Sequence, residues 1–213
     1  MKFKSSLKSL TLAVLLLSGA TAQADITIYT TRAAFLAALV SSGTDTYNDL
    51  ATMETPTPLL RAAGAFSYRA SVGPVSDFYP AGGLPDVWLS TAVSTDTITF
   101  DSFTAGIRAF GGNFFGSNID GLFDPNRTIV LTASDGLTTR TVSLFNTTTT
   151  TFLGFISSDP LRTVTLHGDG LPGAAYWSTA NDVTIGLVPE PAGYAMLAAG
   201  LCVVGFAMRR RGS

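Results

Sequence analysis

Residues 128–145, which read TIVLTASDGLTTRTVSLF, decide the fold. Apolar and polar residues alternate on both sides of Asp135-Gly136, and β-branched residues are frequent in each run. An Asp-Gly pair between two such runs is a strong signal for a tight turn between antiparallel strands. The stretch therefore predicts a β-hairpin.

The same period of two recurs along the chain, with turn signals such as Gly82-Gly83 and Gly168-Asp169-Gly170 between the runs. About ten short strands in one domain predict a mainly β protein with a single β-sandwich. The predicted strands cover residues 26–29, 66–72, 87–89, 97–100, 106–114, 128–133, 140–145, 152–156, 162–167 and 182–187.

Only one helix is predicted in this region. Thr31 is a suitable N-cap, and Phe35, Leu36, Leu39 and Val40 follow at helical spacing, so the helix is expected over residues 32–40. Residues 53–64 and 73–85 are rich in Pro, Gly and Ala and are predicted to be long loops.

The two ends of the chain differ from the body. Residues 1–24 have basic Lys2, Lys4 and Lys8, an apolar stretch and the sequence Ala22-Gln23-Ala24, which together predict a secretory signal peptide cleaved before Asp25. Residues 25–187 are then one β-sandwich domain, and residues 188–213 form a separate C-terminal segment.

That C-terminal segment has three unlike parts in a fixed order. Val188-Pro189-Glu190-Pro191 precedes an uncharged apolar run over residues 192–208, and Arg209-Arg210-Arg211 follows. The apolar run would measure roughly 25 Å as a helix, the short end of a membrane span. It is predicted to be a transmembrane helix whose terminal arginines stay on the cytoplasmic side.

This segment resembles the PEP-CTERM sorting signal of exported bacterial proteins. The resemblance implies recognition by an exosortase, a membrane-embedded enzyme that processes such proteins near the motif. It also implies a Gram-negative source, often one that makes exopolysaccharide or biofilm matrix. The protein would be held on the periplasmic side of the inner membrane before processing and would then reach the cell surface or the extracellular space.

The body has an unusual charge balance. Between Asp25 and Val188 it contains seven arginines and no lysine, against thirteen aspartates and Glu54, which gives a formal charge of −7. Such a surface argues against binding to nucleic acid or to anionic membranes. It is compatible with calcium, with cationic partners or with neutral glycans. The single cysteine, Cys202, lies in the apolar run, so the body has neither a disulfide nor a thiolate.

Residues 45–187 also resemble jelly-roll modules of the carbohydrate-binding or galactose-binding-like type. The phrases that carry this resemblance are Trp88-Leu-Ser, Asp96-Thr-Ile-Thr-Phe100, Ala109-Phe-Gly-Gly-Asn-Phe-Phe-Gly116, Phe152-Leu-Gly-Phe155 and Asp182-Val-Thr-Ile-Gly186. The resemblance implies a jelly-roll sandwich and makes glycans candidate ligands. The glycine-rich phrase has two readings, a binding face with aromatic platforms or a core strand, and the core reading is favoured.

Two groups of residues are candidates for ligand binding. Asp120 and Asp124 lie in an oxygen-rich loop, residues 118–126, and are candidate calcium ligands, although the loop matches no calcium-binding consensus and a solvated turn is the alternative. Trp88, Tyr176 and Trp177, with Tyr79, are candidates for stacking on sugar rings, and filling the edge of the sandwich is the alternative.

No residue is assigned a catalytic role. His167 is the only histidine, the sequence Gly-x-Ser-x-Gly is absent, and a zinc site would need more histidines or cysteines. The expected function is therefore non-catalytic: an exosortase-processed envelope or matrix protein that binds, adheres or serves a structural role linked to exopolysaccharide. No cofactor is required. The alternatives are a calcium-stabilised glycan-binding module and, less favoured, a glycan hydrolase.

Overall fold

The computed structural model describes residues 25–73, 75–169 and 175–189. The predicted signal peptide, most of the sorting segment and the predicted transmembrane helix over residues 192–208 lie outside this part of the chain. Within it, no helix is long and apolar enough to cross a membrane.

Half of the residues are in strands and 4% are in a helix, so the mainly β prediction is confirmed. The one described helix, α1, spans Arg32–Ala37. The strands are β1 (Ile26–Tyr29), β2 (Ser41–Asp45), β3 (Leu59–Ala63), β4 (Phe66–Ser71), β5 (Ala81–Gly83), β6 (Asp86–Trp88), β7 (Ile98–Asp101), β8 (Ala109–Ser117), β9 (Phe123–Asp124), β10 (Ile129–Ser134), β11 (Thr139–Leu144), β12 (Phe152–Ser157), β13 (Thr163–Gly168) and β14 (Trp177–Leu187).

The strands form two six-stranded antiparallel sheets and a small hairpin. The first sheet has the order β1-β12-β8-β14-β2, with β9 paired to β8, and the second has the order β11-β10-β13-β7-β4-β3. Strands β5 and β6 form the separate hairpin. The hairpin predicted at Asp135-Gly136 is confirmed, because β10 and β11 pair from Ile129–Leu144 to Ser134–Thr139.

Eight of the strands form two sets of four, one set in each sheet. The set β2-β14-β8-β12 belongs to the first sheet, and β7-β13-β10-β11 belongs to the second. From β7 onward the chain passes from one sheet to the other at every connection except β8–β9, within the first sheet, and the β10–β11 hairpin, within the second. A jelly roll has eight strands in two sheets, so this order is compatible with the jelly-roll prediction, which stays a prediction.

The main core contains buried side chains from both sheets, as expected of a sandwich. Phe110 of β8 contacts Phe100 of β7 with ring centroids 4.9 Å apart, and it stacks on Phe114 at 6.2 Å. Phe110, Phe114 and Phe115 are fully buried, so the core reading of the glycine-rich phrase is confirmed.

The helix begins where the sequence predicts and ends early. The Thr31 hydroxyl accepts a hydrogen bond from the Ala34 N–H at 3.4 Å, which is the expected N-cap geometry. Phe35 is the only buried residue of α1 and packs on Phe152 at 5.5 Å. The expected continuation to Val40 is wrong, because the chain must turn there to enter β2.

The two predicted long loops also contain strands. Residues 53–64 include β3, which pairs with β4, and residues 73–85 include β5, which pairs with β6. Alternation is weak in both segments, so their strand character comes from pairing with neighbours and not from a local pattern. Strand β2, with the sequence SSGTD, was likewise not predicted.

The close approach of β2 to the end of β3 requires a glycine. A Cβ on Gly43 of β2 would lie 1.9 Å from the carbonyl oxygen of Ala63 at the end of β3. Only a residue without a side chain allows this approach between backbones of the two sheets.

Candidate functional site

A cleft of about 490 Å³ opens at the end of the sandwich where β8 ends and β14 begins. Two paired residues of these central strands, Ser117 and Trp177, line it. The remaining lining residues are Thr52, Tyr79, Pro80, Ala81, Gly82, Ser90, Thr91, Ala92, Asn118, Ile119, Asp120 and Gly121.

The turn over residues 118–122 forms one wall and is held rigidly by its own amide. The Asn118 side-chain oxygen accepts hydrogen bonds from the N–H groups of Asp120 at 3.0 Å and Leu122 at 2.9 Å. Gly121 has φ of 73°, a conformation that favours glycine. The wall is therefore preorganised by local bonds.

The β5–β6 hairpin also lines the cleft and is hydrogen-bonded to the turn. The Gly82 N–H donates to the Gly121 carbonyl at 2.8 Å. Trp88 of β6 packs edge-on against Phe115, with centroids 4.9 Å apart and planes at 85°. Because Phe115 belongs to central strand β8, this contact attaches the β5–β6 hairpin to the centre of the first sheet.

Two aromatic rings reach the cleft with part of their surface in solvent. Tyr79 is 50% exposed. Trp177 is half-buried, and its indole N–H donates to the Ala92 carbonyl at 3.3 Å, which fixes the plane of the ring. An oriented, partly exposed indole is suited to stacking on an apolar ring face.

A buried hydroxyl also lines the cleft. Ser90 is 1% exposed, and its Oγ has no hydrogen-bond partner among the described residues. The Ser178 hydroxyl and the Trp88 indole N–H, near the same end of the sandwich, share this condition. Buried polar groups are nearly always hydrogen-bonded in folded proteins, so the Ser90 hydroxyl is available to a bound water or to a polar ligand group.

The described lining of the cleft carries a single negative charge and no positive charge. Asp120 is the only charged residue among the described residues that line it, and no lysine, arginine or histidine does so. An anionic ligand would meet no counter-charge there, whereas a neutral ligand would carry no such cost.

Of the three predicted stacking residues, only Trp177 is placed for that role. Trp88 is 9% exposed and packs against Phe115, so its ring serves the interior. Tyr176 is 4% exposed, its hydroxyl donates within the fold, and Arg127 lies over its ring at 5.2 Å. The stacking prediction is therefore corrected for Trp88 and Tyr176, which fill the sandwich edge.

The structure separates the roles of the two predicted calcium ligands. Asp120 is exposed at the cleft, whereas the Asp124 carboxylate is engaged by Arg127, with Nε 2.7 Å from Oδ2. Among the described residues, no group of three or more His, Cys, Asp or Glu side chains is arranged to hold a metal ion. Calcium binding stays a prediction.

Several residues that line the cleft were not predicted from the sequence. Ser90, Thr91 and Thr52 lie in irregular segments without a periodic signal. The bridge that pairs Leu89 with Ala180 brings Ser90 beside central strand β14, and such a long-range contact has no local signature.

The described part of the sorting segment comprises Val188 and Pro189, both half-buried. Val188 packs against the cluster formed by Phe35, Ala109 and Phe152. Glu190, Pro191 and Arg209-Arg210-Arg211 lie outside the described residues, as do Ala22 and Ala24.

The other predicted processing boundary, Asp25, is exposed at the start of β1. Its backbone N–H donates to the Ser158 hydroxyl at 3.0 Å, and its carboxylate pairs with Arg140 at 3.1 Å. Asp25, the predicted first mature residue, is therefore held to the neighbouring strands by its backbone and by its side chain.

The comparisons with known proteins bear on the sorting segment alone. The family model of the PEP-CTERM protein-sorting motif matches residues 187–211. Neither a curated protein nor a solved structure matches the chain. The chain therefore carries a PEP-CTERM protein-sorting motif, and it is an exported protein that is sorted by an exosortase from a membrane-anchored state.

Proposed function

We propose that the protein is a non-catalytic envelope or matrix component whose sandwich binds an uncharged polysaccharide in the cleft. The observation that carries this proposal is the combination, in one cleft, of the partly exposed rings of Trp177 and Tyr79 with the unpartnered hydroxyl of Ser90. Sugar rings offer an apolar face to an aromatic ring and hydroxyl groups to polar atoms, so they match this combination.

Binding is tested with residues 25–189, which contain every described contact of the sandwich. The probes are neutral dextran, a β-glucan and a galactan, measured by calorimetry. Trp177→Ala is expected to weaken the best binder at least about tenfold, equivalent to about 1.4 kcal/mol. Phe145→Ala is the matched control, because Phe145 is an exposed aromatic residue, 72% accessible, that does not line the cleft.

The outcome of this experiment is decisive in both directions. Binding that falls in Trp177→Ala and persists in Phe145→Ala supports the cleft as the site. Absence of binding to all three polymers, or an equal loss in both variants, contradicts the proposal.

The negative charge of Asp120 allows a second comparison, between neutral and anionic polymers. Because Asp120 is the only charged residue in the described lining of the cleft, anionic alginate is expected to bind more weakly than the neutral polymers at low salt. Asp120→Asn should reduce that difference. An unchanged preference in Asp120→Asn would show that the cleft charge does not select the ligand.

The absence of catalysis is part of the proposal. Incubation of the protein with the bound polymer should release no reducing ends. Turnover that disappears in Asp120→Asn would instead favour the glycan-hydrolase alternative, since paired carboxylates are the usual groups for that reaction.

The calcium alternative has its own test. A calcium-stabilised module should show a higher Tm in calcium than in a chelator, and Asp120→Asn should remove the increase. Because Arg127 already engages Asp124, Asp124→Asn serves as a test of whether the second carboxylate contributes. An identical Tm in calcium and chelator rejects this alternative.

A further inference from the structure

The strand register places both ends of the described chain at one end of the sandwich. In the first sheet, Gly186 of β14 lies opposite Ala109, Ala109 lies opposite Ile156, and Ile156 lies opposite Thr27. The end of β14 and the start of β1 are thus at the same level of the sheet. We call this end, marked by Ile26 and Leu187, the proximal pole.

The cleft lies at the other end of the same strands. Trp177 is the first residue of β14 and pairs with Ser117, the last residue of β8, and both line the cleft. We call this end the distal pole. Eleven residues of β14 separate the poles, a span of about 30 Å.

The connection between the proximal pole and the predicted membrane segment is only a few residues long. Val188 is packed on the cluster of Phe35, Ala109 and Phe152, and the predicted membrane segment begins at Ala192. The three residue steps from Pro189 to Ala192 can span at most about 11 Å. So short a connection keeps the proximal pole within about 11 Å of the membrane segment, whereas the cleft lies at the far end of an eleven-residue strand.

We propose that, in the membrane-anchored state, the proximal pole faces the membrane and the cleft faces away from it. The partner of the cleft is then a polysaccharide and not a lipid headgroup of the anchoring membrane. The nature of this partner rests on the proposed function, whereas the orientation rests on strand register and on the length of the connection.

Two exposed residues provide a matched pair of reporters. Ile119, 77% exposed, lines the cleft at the distal pole. Leu137, 78% exposed, lies at the proximal pole, in the turn after Asp135. The Asp135 carboxylate accepts a hydrogen bond from the Ser157 hydroxyl, and Ser157 is paired with Ile26. The two positions therefore have equal accessibility and opposite locations.

The experiment uses the full chain with Cys202→Ala, which removes the only cysteine of the sequence. Ile119→Cys or Leu137→Cys is added, labelled with the same maleimide dye, and reconstituted in vesicles that contain an acceptor dye on the lipid headgroups of both leaflets. Energy transfer to the lipid acceptor is then compared. Near-ultraviolet circular dichroism confirms that each variant keeps the packing of the parent protein.

Stronger transfer from position 137 than from position 119 is the expected result. Equal transfer, or stronger transfer from position 119, overturns the orientation. A protein of residues 25–189 should show only background transfer from both positions, since it lacks the signal peptide and the predicted membrane segment.

The energy-transfer result does not depend on any polysaccharide. A negative binding panel with the expected transfer would reject the proposed ligand and retain the orientation. Binding of dextran with equal transfer from both dyes would do the opposite.

Discussion

The guanidinium of Arg61 makes two hydrogen bonds to the buried carboxylate of Asp45, with Nε–Oδ2 at 2.9 Å and Nη2–Oδ1 at 2.7 Å. The Tyr68 hydroxyl donates to the same carboxylate at 2.7 Å. The hydroxyls of Tyr47 and Tyr68 are hydrogen-bonded to each other at 2.7 Å, and the Arg61 guanidinium lies over the Tyr47 ring, 5.2 Å from its centroid. Asp45 is in β2 and Arg61 in β3, so this network joins the edges of the two sheets.

Removal of one partner should leave the other charge buried. Arg61→Ala is therefore expected to lower the free energy of unfolding by about 3–5 kcal/mol, measured by urea denaturation. Arg69→Ala is the matched control, because Arg69 makes the same two-bonded contact to Asp101, both at 2.7 Å, from an exposed position. Arg69→Ala should lower the free energy of unfolding clearly less than Arg61→Ala does. Equal decreases in the two variants would contradict the role assigned to burial.

A methyl group at Gly43 should disturb the contact between the two sheets. The added Cβ would lie 1.9 Å from the Ala63 carbonyl oxygen, which is backbone and cannot rotate away. Gly43→Ala is expected to cost about 3 kcal/mol or more of unfolding free energy. A Cβ at Gly73 would meet nothing within 4 Å, so Gly73→Ala should change stability by no more than about 0.5 kcal/mol. Similar effects of the two substitutions would refute the close approach.

Stability at alkaline pH should depend on Tyr176. Burial, with the hydrogen bond to Asp169, raises the pKa of the Tyr176 hydroxyl to about 12. The unfolded side chain titrates at about pH 10. The stabilisation by the neutral hydroxyl is therefore complete below pH 10 and is lost as the pH rises through 12.

Tyr176→Phe tests this dependence. The change leaves the Thr128 carbonyl and the Asp169 N–H without the Tyr176 hydroxyl and should cost about 1–3 kcal/mol at about pH 8. The deficit relative to the parent protein should shrink between pH 10 and 12, in urea denaturation at each pH. Tyr79→Phe, at an exposed hydroxyl, is the control, and a deficit independent of pH would contradict the assignment.

Acid stability should depend on Asp135. Burial alone raises the pKa of its carboxyl, but hydrogen bonds from the Thr138 N–H, the Ser157 hydroxyl and the Leu137 N–H outweigh burial and lower the pKa. The unfolded carboxyl titrates at about pH 4. Its contribution is therefore present above pH 4 and disappears as the pH falls through the lower pKa of the folded state.

Asp135→Asn should be less stable than the parent protein by about 1–3 kcal/mol at neutral pH. The difference should narrow as the pH falls below about 4. Denaturation curves at several pH values measure it, and a constant difference across that range would show that the negative charge is not the stabilising feature.

Sorting should require the tail and not the sandwich. A deletion of residues 190–211 leaves every described residue in place, and it is expected to abolish exosortase processing in the native host. Fractionation and gel mobility measure the effect. Unchanged localisation and mobility would show that the motif is not used, while the same Tm for both purified forms would confirm that the sandwich is intact.

Alternation alone was sufficient to locate most of the core strands. Strand β10 alternates buried and half-buried residues along its length, and its hairpin turn carries Asp135-Gly136. The helix start was also predictable, because the N-cap at Thr31 is a local interaction. Its end was not, since the need to enter β2 arises from the topology.

The candidate site was only partly predictable for the same reason. Trp177 and Asp120 were recognised as binding candidates from residue type, but Trp88 and Tyr176 could not be separated from Trp177 without knowledge of burial. Ser90 joins the cleft through a bridge between residues 89 and 180, far apart in the chain. Segments with little regular pattern therefore contributed most of the residues that were missed.

Strand β14 has a mechanical consequence that follows from its place between β8 and β2. A polysaccharide held at the cleft would pull on one end of this strand, while the tether pulls on the other. Both forces act on one strand, so the covalent backbone of β14 carries the tension directly, and the ladder hydrogen bonds to β8 and β2, which lie perpendicular to the strand, are not pulled apart one after another. A pull between the cleft and the tether therefore leaves the packing of the two sheets without load.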